Sequence, residues 1–175
     1  MTKLNNFEIN ENELMEYYGY SGFVGRIKLR TKFFKSWFFH SLAYSCPLPD
    51  LVIKFQRLRG VKIGKNCHLS PYVLIDLIHP ELVTLEDNVT ISSNTMIFAH
   101  VNPTANQFLK EHGYARSIKP VLIKEGAVIS VGCIIISGVK IGKNSIVGAG
   151  SVVAHDIPDL SVAIGNPARV IKKIN

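Results

Sequence analysis

Histidine is the side chain best suited to exchange a proton near neutral pH, and the chain contains six of them. His100 has the most informative position, because it directly precedes residues 101–120, which carry none of the repeat pattern described below. A histidine beside such a loop could serve as a general base, and the competing interpretation is a solvated corner residue. His112 lies within the loop and could touch a bound substrate. His79, beside Pro80, has the position of a residue that hydrogen-bonds a turn.

The three cysteines, Cys46, Cys67 and Cys133, are too few and too scattered for a disulfide framework or a zinc site. Cys133 occupies a position that should point into the protein interior, so we do not expect a covalent intermediate on its thiol. A metal centre would need three histidines brought close together by the fold, and no pair of histidines in the sequence has a spacing that would do this. We therefore expect no bound metal.

An aliphatic residue recurs at every sixth position in the second half of the chain. The members of this array are Ile123, Ile129, Ile135, Ile141, Val147 and Val153. This is the hexapeptide repeat of a parallel β-helix, in which each hexad forms one face of a triangular prism and three hexads complete a coil. Successive coils pair at a strand spacing of about 4.7–4.9 Å, so the aliphatic side chains stack in ladders inside the prism.

A second array precedes the loop and slips once by four residues. Its members are Ile63, Leu69 and Ile75, then Leu85, Ile91 and Ile97. We expect a bulged corner near residues 79–81, where the slip occurs. The sequence thus predicts a mainly β protein, with an N-terminal helical or mixed extension over 1–60, a β-helix over 61–160 with a long extruded loop at 101–120, and a C-terminal turn and basic tail over 161–175.

Several motifs carry a family resemblance. The run IGKNSIVGAGSVV from Ile141 to Val153, followed by GNPARVI at 165–171, resembles hexapeptide-repeat acetyltransferases of the galactoside and maltose acetyltransferase group. A histidine that closes a coil, the stretch Leu109–Gly113 and Pro120 are similar to the loop of those enzymes. The run RLRGVKIG at 57–64 resembles, more weakly, the branch that O-acetylates colanic acid and other surface polysaccharides.

This resemblance implies a left-handed β-helix that moves an acetyl group from acetyl-CoA to a hydroxyl of a sugar or surface-polysaccharide precursor, directly and without an acyl-enzyme. His100 matches the family's general base. Asp76 lies where the family often has an acidic residue, so it would orient the sugar hydroxyl or His100, with capping of a corner as an equal alternative. The positions expected to bind acetyl-CoA are Val131, Gly132, Ala149, Ala154, Arg169 and Lys172. The family also implies a homotrimer with sites between neighbouring subunits.

The formal net charge of +7 favours anionic partners such as a phosphorylated cofactor or an anionic membrane surface. Nucleic acid is not expected, because no nucleic-acid-binding motif is present. Residues 2–13 are polar and do not resemble a signal peptide, so we expect a cytoplasmic protein. Aromatic and basic residues alternate over 23–39, which is typical either of packing on the β-helix or of peripheral contact with the inner membrane surface.

Two other functions are compatible with the scaffold. One is a non-catalytic β-helix scaffold protein, which would not bind CoA. The other is a metal-dependent enzyme of the γ-carbonic anhydrase type, which would need the histidine cluster that the spacing does not provide.

Overall fold

Three helices precede the β region in the computed structural model, which describes residues 5–101 and 104–175. They are α1 (Asn6–Tyr17), α2 (Gly22–Tyr44) and α3 (Pro49–Leu58). A capping box starts α1, because the Asn5 side chain accepts from the Glu8 amide and the Glu8 side chain accepts from the Asn5 amide, each at 2.9 Å. The N-terminal extension is therefore helical. Among the described residues, no helix combines the length and the apolar character that a bilayer crossing requires.

Short strands make the faces of the coils, in three sheets. The strands of the first sheet, in spatial order, are β1 (Lys62–Ile63), β4 (Val83–Leu85), β9 (Val121–Ile123) and β12 (Lys140–Ile141). Those of the second sheet are β2 (His68–Leu69), β5 (Thr90–Ile91), β10 (Val128–Ile129), β13 (Ile146–Val147), β15 (Ser161–Gly165) and β16 (Ala168–Lys173). Those of the third sheet are β3 (Leu74–Ile75), β6 (Met96–Ile97), β11 (Ile134–Ile135) and β14 (Val152–Val153).

The strand register confirms the predicted coil. Val128 pairs in parallel with Ile146, which is 146 − 128 = 18 residues later, or three hexads. Leu74 pairs with Met96, which is 96 − 74 = 22 residues later, so one coil contains the predicted slip of four. The extra residues form a single 3-10 turn at Pro80–Leu82. The chain is thus a parallel β-helix, as the hexad pattern predicts.

The aliphatic ladders form the core. All six members of the array from Ile123 to Val153 are fully buried, and Cys133 also lies inside the prism. Close stacking of the coils requires a residue without a side chain at some corners. A Cβ atom on Gly142 would lie 2.3 Å from the backbone nitrogen of Asp159 in the next coil.

Further elements follow both ends of the coil stack. At the N-terminal end, α3 packs against β1 and β2, and α2 against β3. At the C-terminal end, β15 adds in parallel to β13 and then turns back into the antiparallel strand β16. The segment 161–175, predicted to be a turn and a basic tail, thus contains a β-hairpin. Ala163 pairs with Val147 and is fully buried, so the inward ladder extends one step beyond the recognisable hexads.

The long loop leaves and re-enters the coil at the same corner. Its two ends pair as the antiparallel strands β7 (His100–Val101) and β8 (Ser117–Ile118). Between them lie the short helix α4 (Gln107–Leu109) and one π-helical turn, Lys110–Tyr114. The loop is therefore an excursion closed at its base, and His100 sits at that base.

Candidate active site

Asp76 and His100 meet at the corner that follows the third sheet. Asp76 is fully buried, and its Oδ2 atom lies 2.7 Å from Nδ1 of His100. The carboxylate also accepts three backbone hydrogen bonds, on Oδ1 from Ile78 (2.8 Å) and His79 (2.9 Å) and on Oδ2 from Ala99 (2.7 Å). Each carboxylate oxygen thus has two donors. A buried carboxylate surrounded in this way is stable only in its ionised form.

The ionised carboxylate determines the tautomer of the histidine. Burial alone would raise the pKa of Asp76, but the hydrogen bonds from His100 and from two backbone amides lower it to about 2. Because the carboxylate can only accept, His100 carries a proton on Nδ1, and Nε2 of the neutral ring has a free lone pair. The His100 side chain keeps 14% of its surface exposed. An accessible imidazole held in this tautomer can act as a general base.

A second histidine lies beside the pair. The His79 ring is fully buried, and its centroid is 5.6 Å from that of His100 at an interplanar angle of 69°. His79 Nδ1 lies 2.6 Å from the Tyr18 hydroxyl, which donates to Glu81 at 2.8 Å. Burial alone would raise the pKa of Glu81, but His79 and Lys32 lower it to about 2. Since the Tyr18 hydroxyl donates its hydrogen bond to Glu81, His79 donates to the phenol oxygen. Tyr18 is the C-cap residue of α1, so this contact connects α1 to the corner that carries Asp76 and His100.

A buried arginine supports the same corner from behind. Arg59 is 6% exposed, and its Nη2 atom donates to the main-chain oxygen of Asp76 at 2.5 Å. The same guanidinium donates to Ser36 Oγ of α2 at 3.2 Å and to Gln56 Oε1 of α3 at 2.9 Å, and Nη1 lies 3.1 Å from His40 Nδ1. Arg59 therefore ties both helices to the backbone of Asp76.

A cleft opens beside His100 between α1 and the loop. Its volume is about 300 Å³, and its lining residues are Glu13, Glu16, Tyr17, Ala115, Arg116 and Ile118. Ile118 is the strand partner of His100, and the Tyr17 ring contacts His79 edge-on with centroids 5.0 Å apart. Glu13 holds the loop through ion pairs with Lys110 and, at 3.1 Å, with Arg116. The cleft thus combines carboxylates, a guanidinium and an exposed aromatic ring, and one of its lining residues, Ile118, is the strand partner of His100.

Three of the positions expected to bind acetyl-CoA come together at one corner. Val131 and Ala149 occupy equivalent places in successive coils, at the corner between the second and third sheets. The Gly150 amide donates to the Val131 oxygen at 2.9 Å, and the Gly132 amide donates to the Ser93 oxygen at 3.0 Å. A Cβ atom on Gly132 would meet no atom within 4 Å, so the backbone there is open to solvent.

The remaining candidate positions are more dispersed. Ala154 follows β14, at the corner where Asp76 follows β3 three coils earlier. Arg169 and Lys172 are exposed on β16, opposite Ile164 and Val162. His112 is exposed in the loop, where its Nδ1 lies 2.7 Å from the Phe108 oxygen and its ring stacks on Phe108. The structure does not bring His112 to the Asp76–His100 pair.

Within the described residues, no group of three or more histidine, cysteine, aspartate or glutamate side chains could hold a metal ion. Burial raises the pKa of the Cys133 thiol, which lies inside the prism and is protonated near neutral pH.

Sequence reasoning missed the parts of this corner that the helices supply. Tyr18 contacts His79, whose ring packs against His100, and Arg59 donates to the backbone of Asp76. Arg59 belongs to the run at 57–64, but that run gave no sign of this contact, and Tyr18 belongs to no recognisable motif. The only available signal was the spacing of Asp76 and His79 within the four-residue slip, which indicates that this corner differs from the others.

The comparisons with known proteins agree with this architecture. Residues 120–155 match a family described as bacterial transferase hexapeptide (six repeats). Galactoside O-acetyltransferase of Lactococcus lactis subsp. lactis (strain IL1403) is 36% identical over 116 residues, which cover 64% of this chain and 55% of the relative. This chain therefore spans about half the length of that relative.

Two solved structures are similar over most of the fold. A galactoside acetyltransferase in complex with coenzyme A superposes with a TM-score of 0.67 at 27% identity, over 84% of this chain and 82% of the other. A maltose O-acetyltransferase from Clostridium difficile 630 gives a TM-score of 0.66 at 26% identity, over 84% and 88%. Both proteins are acetyltransferases, and each superposition covers more than four fifths of this chain.

Proposed function

We propose that this protein is an acetyl-CoA-dependent O-acetyltransferase that acts on a hydroxyl of a sugar or a surface-polysaccharide precursor. The observation that carries the proposal is the Asp76–His100 pair, in which a fully buried, fourfold hydrogen-bonded carboxylate orients a partly exposed imidazole. The similarity to galactoside and maltose acetyltransferases supports both the donor and the class of acceptor.

In the proposed reaction, Nε2 of His100 removes the proton of the acceptor hydroxyl as its oxygen attacks the thioester carbonyl carbon. The new C–O bond forms and the C–S bond breaks, so the acetyl group moves directly to the acceptor. The leaving thiolate takes the proton from His100, which regenerates the neutral base. Asp76 stabilises the imidazolium that exists between these two proton transfers, because it is ionised and adjacent to Nδ1. No acyl-enzyme is formed.

We assign the acceptor to the cleft between α1 and the loop. Carbohydrates are bound by aromatic faces and by planar side chains that hydrogen-bond neighbouring hydroxyls, and Tyr17, Glu16 and Arg116 provide these groups. The cleft borders His100 through Ile118, so a bound ring could present a hydroxyl to Nε2. His112 would contact only an acceptor that extends along the loop.

The donor site supports a trimeric assembly. Val131, Gly132 and Ala149 lie at the corner that precedes the strands of the third sheet, whereas His100 and Ala154 lie at the corner that follows them. A single chain does not bring the two corners together, but neighbouring copies could. We therefore propose a homotrimer in which acetyl-CoA lies between subunits, with Arg169 and Lys172 available to its phosphates. The open backbone at Gly132 suits close approach of the pantetheine amides.

A cytoplasmic location, with the N-terminal segment at the inner membrane surface, completes this proposal. Lipid-linked glycans are made at such surfaces, and acetyl-CoA is a cytoplasmic metabolite. The exposed aromatic and basic residues of α2 support the contact.

The test is CoA release from acetyl-CoA over a panel of free, nucleotide-linked and lipid-linked sugars. The wild type should release CoA only with an acceptor, and His100→Ala should lower the rate by roughly 10² to 10⁴-fold. His112→Ala is the matched control, because it removes a loop histidine that lies away from Asp76. Equal rates for His100→Ala and the wild type would exclude His100 as the base. Absence of both turnover and CoA binding would instead favour the non-catalytic scaffold.

A further inference from the structure

Helix α2 has two opposite faces, and in the described part of the chain one of them is buried against the rest of the protein while the other is exposed. Its buried residues are Gly25, Leu29, Ser36, His40 and Ala43. A second stripe with the same spacing, displaced by two residues, is apolar and consists of Phe23, Ile27, Phe34 and Phe38. Two residues of an α-helix are about 200° apart, so the apolar stripe points directly away from the β-helix.

This outward stripe is unusually exposed for large apolar side chains. Phe23 is 78% exposed, Phe34 63% and Phe38 44%, and the neighbouring Trp37 is 55% exposed. Single exposed apolar residues are common on protein surfaces, but several large apolar side chains along one face of a helix usually mark an interaction surface.

Basic residues flank the stripe. Helix α2 contains five lysines and arginines and no acidic residue. At about 100° per residue, Arg26 lies on one side of the stripe and Lys28 and Lys35 lie on the other. Arg26 and Arg30 approach Glu11 of α1, whereas Lys28 and Lys35 make no ion pair in the part of the chain that the structure describes.

The helix is held firmly in this orientation. Ser36 Oγ donates to the main-chain oxygen of Leu77 at 2.7 Å and also accepts from Arg59. The buried face therefore anchors α2 to the corner that carries Asp76, and the aromatic face is presented by a rigid support.

We propose that the outward face of α2, comprising Phe23, Ile27, Phe34, Trp37 and Phe38 with its flanking cations, is a docking surface for an anionic lipid bilayer. A helix with an apolar stripe, cations beside it and no acidic residue lies in the plane of such a membrane, with its aromatic rings among the acyl chains near the headgroups. A second copy of this chain is a poorer occupant of this face, because two α2 helices facing each other would bring their flanking cations together, and α2 has no acidic residue to offset them.

The test uses the full-length chain and its single tryptophan, Trp37, which lies on the proposed surface. Tryptophan emission and co-sedimentation are measured with vesicles of phosphatidylcholine mixed with phosphatidylglycerol, and with vesicles of phosphatidylcholine alone. We expect a blue shift, quenching by brominated lipids and co-sedimentation with the anionic vesicles. Binding should weaken as salt is added, because exposed charges more than about 10 Å apart are screened at 0.1 M ionic strength.

Two variants separate the apolar and the electrostatic contributions. Phe34→Ser/Phe38→Ser should bind the anionic vesicles at least roughly tenfold more weakly, because two exposed rings no longer leave water on binding. Lys28→Gln/Lys35→Gln should also weaken binding, by roughly 25-fold, since each cation near an anionic surface contributes about a fivefold factor. Ile171→Ser is the control, because Ile171 is similarly exposed, at 63%, but lies on β16.

The outcomes are decisive in both directions. No response of Trp37 to anionic vesicles, or an equal response to neutral ones, would overturn the proposal. So would a decrease in oligomeric mass of Phe34→Ser/Phe38→Ser, because another copy would then cover this face. Acetyl transfer to a soluble acceptor should be unchanged in both α2 variants. Vesicle binding and acetyl transfer are therefore measured separately, and a failure of the proposed chemistry would not change the vesicle result.

Discussion

Replacement of Asp76 by asparagine tests the reasoning behind the proposed base. The carboxylate accepts two hydrogen bonds on each oxygen, whereas an asparagine can accept on one oxygen only. If its NH2 group faced His100, Asn would donate a hydrogen bond to Nδ1 instead of accepting one, and the imidazole would have to carry its proton on Nε2. The ring would then present a donor to the acceptor hydroxyl where a base is needed. We expect kcat to fall by roughly 10² to 10⁴-fold, or about 3 to 5 kcal/mol of transition-state stabilisation.

The same substitution should also affect stability, in a direction that the pKa determines. The pKa of Asp76 is about 2 in the folded protein, below an ordinary value of about 3.9 in an unfolded chain. Ionisation of Asp76 therefore contributes about 2.5 kcal/mol above pH 4, and this contribution is lost as the pH falls towards 2. Asp76→Asn should lower the free energy of unfolding at pH 7 by about this amount and should flatten the acid limb below pH 4.

The assay is CoA release at saturating acetyl-CoA, combined with urea unfolding followed by circular dichroism. Asp156→Asn is the matched control, because Asp156 also caps a corner, accepting from the Lys140 amide at 2.8 Å, but makes no hydrogen bond or ion pair with a histidine among the described residues. In a double-mutant cycle, Asp76→Asn/His100→Ala should be no slower than His100→Ala alone. A folded Asp76→Asn enzyme with nearly normal kcat, or two effects that multiply, would refute the role of Asp76 and leave only corner capping.

Three further predictions follow from other contacts. Tyr17→Ala should raise the KM for the acceptor by roughly tenfold without changing the KM for acetyl-CoA, as steady-state kinetics would show, and an equal effect on both would move the acceptor out of the α1 cleft. Burial and the nearby charge of Arg59 lower the pKa of His40 to about 4. The free energy of unfolding should therefore be constant above about pH 6.5 and should fall by about 3 kcal/mol as the pH approaches 4. Urea titrations should not find this loss in His40→Asn. Gly142→Ala should cost about 1 to 3 kcal/mol in the same titrations, because its Cβ atom would lie against the backbone of Asp159.

The sequence predicted the β-helix because its repeat is local. Each hexad must place one aliphatic side chain inside a narrow prism, so the period is visible at every coil, and the slip before Leu85 appears as a register of 22 residues in place of 18. His100 was placed by its position at the base of the loop. Its orientation by Asp76 could be inferred only as an alternative, because it depends on how the slipped coil stacks on the next one.

The contribution of the helices could not be predicted from the pattern. The contacts of Tyr18 with His79 and of Arg59 with Asp76 depend on how α1, α2 and α3 dock, and no short-range signal encodes that docking. Helix α2 is a clear case, because apolar residues occur on both of its faces. Sequence reasoning treated packing on the β-helix and membrane contact as alternatives, whereas the structure leaves one face packed and the other exposed.

The elements at the two ends of the coil stack determine whether molecules of this protein can join end to end. A repeat that pairs with itself every eighteen residues has no intrinsic limit to its length, and an open final coil would offer its backbone to the first coil of another molecule. Helix α3 packs on the first strands at one end, and at the other end the antiparallel strand β16, which carries Lys172 and Lys173, closes the second sheet. These two closures keep the protein a discrete particle. Their loss should first be seen as concentration-dependent growth of filaments, while Asp76, His100 and the groups around them keep their positions.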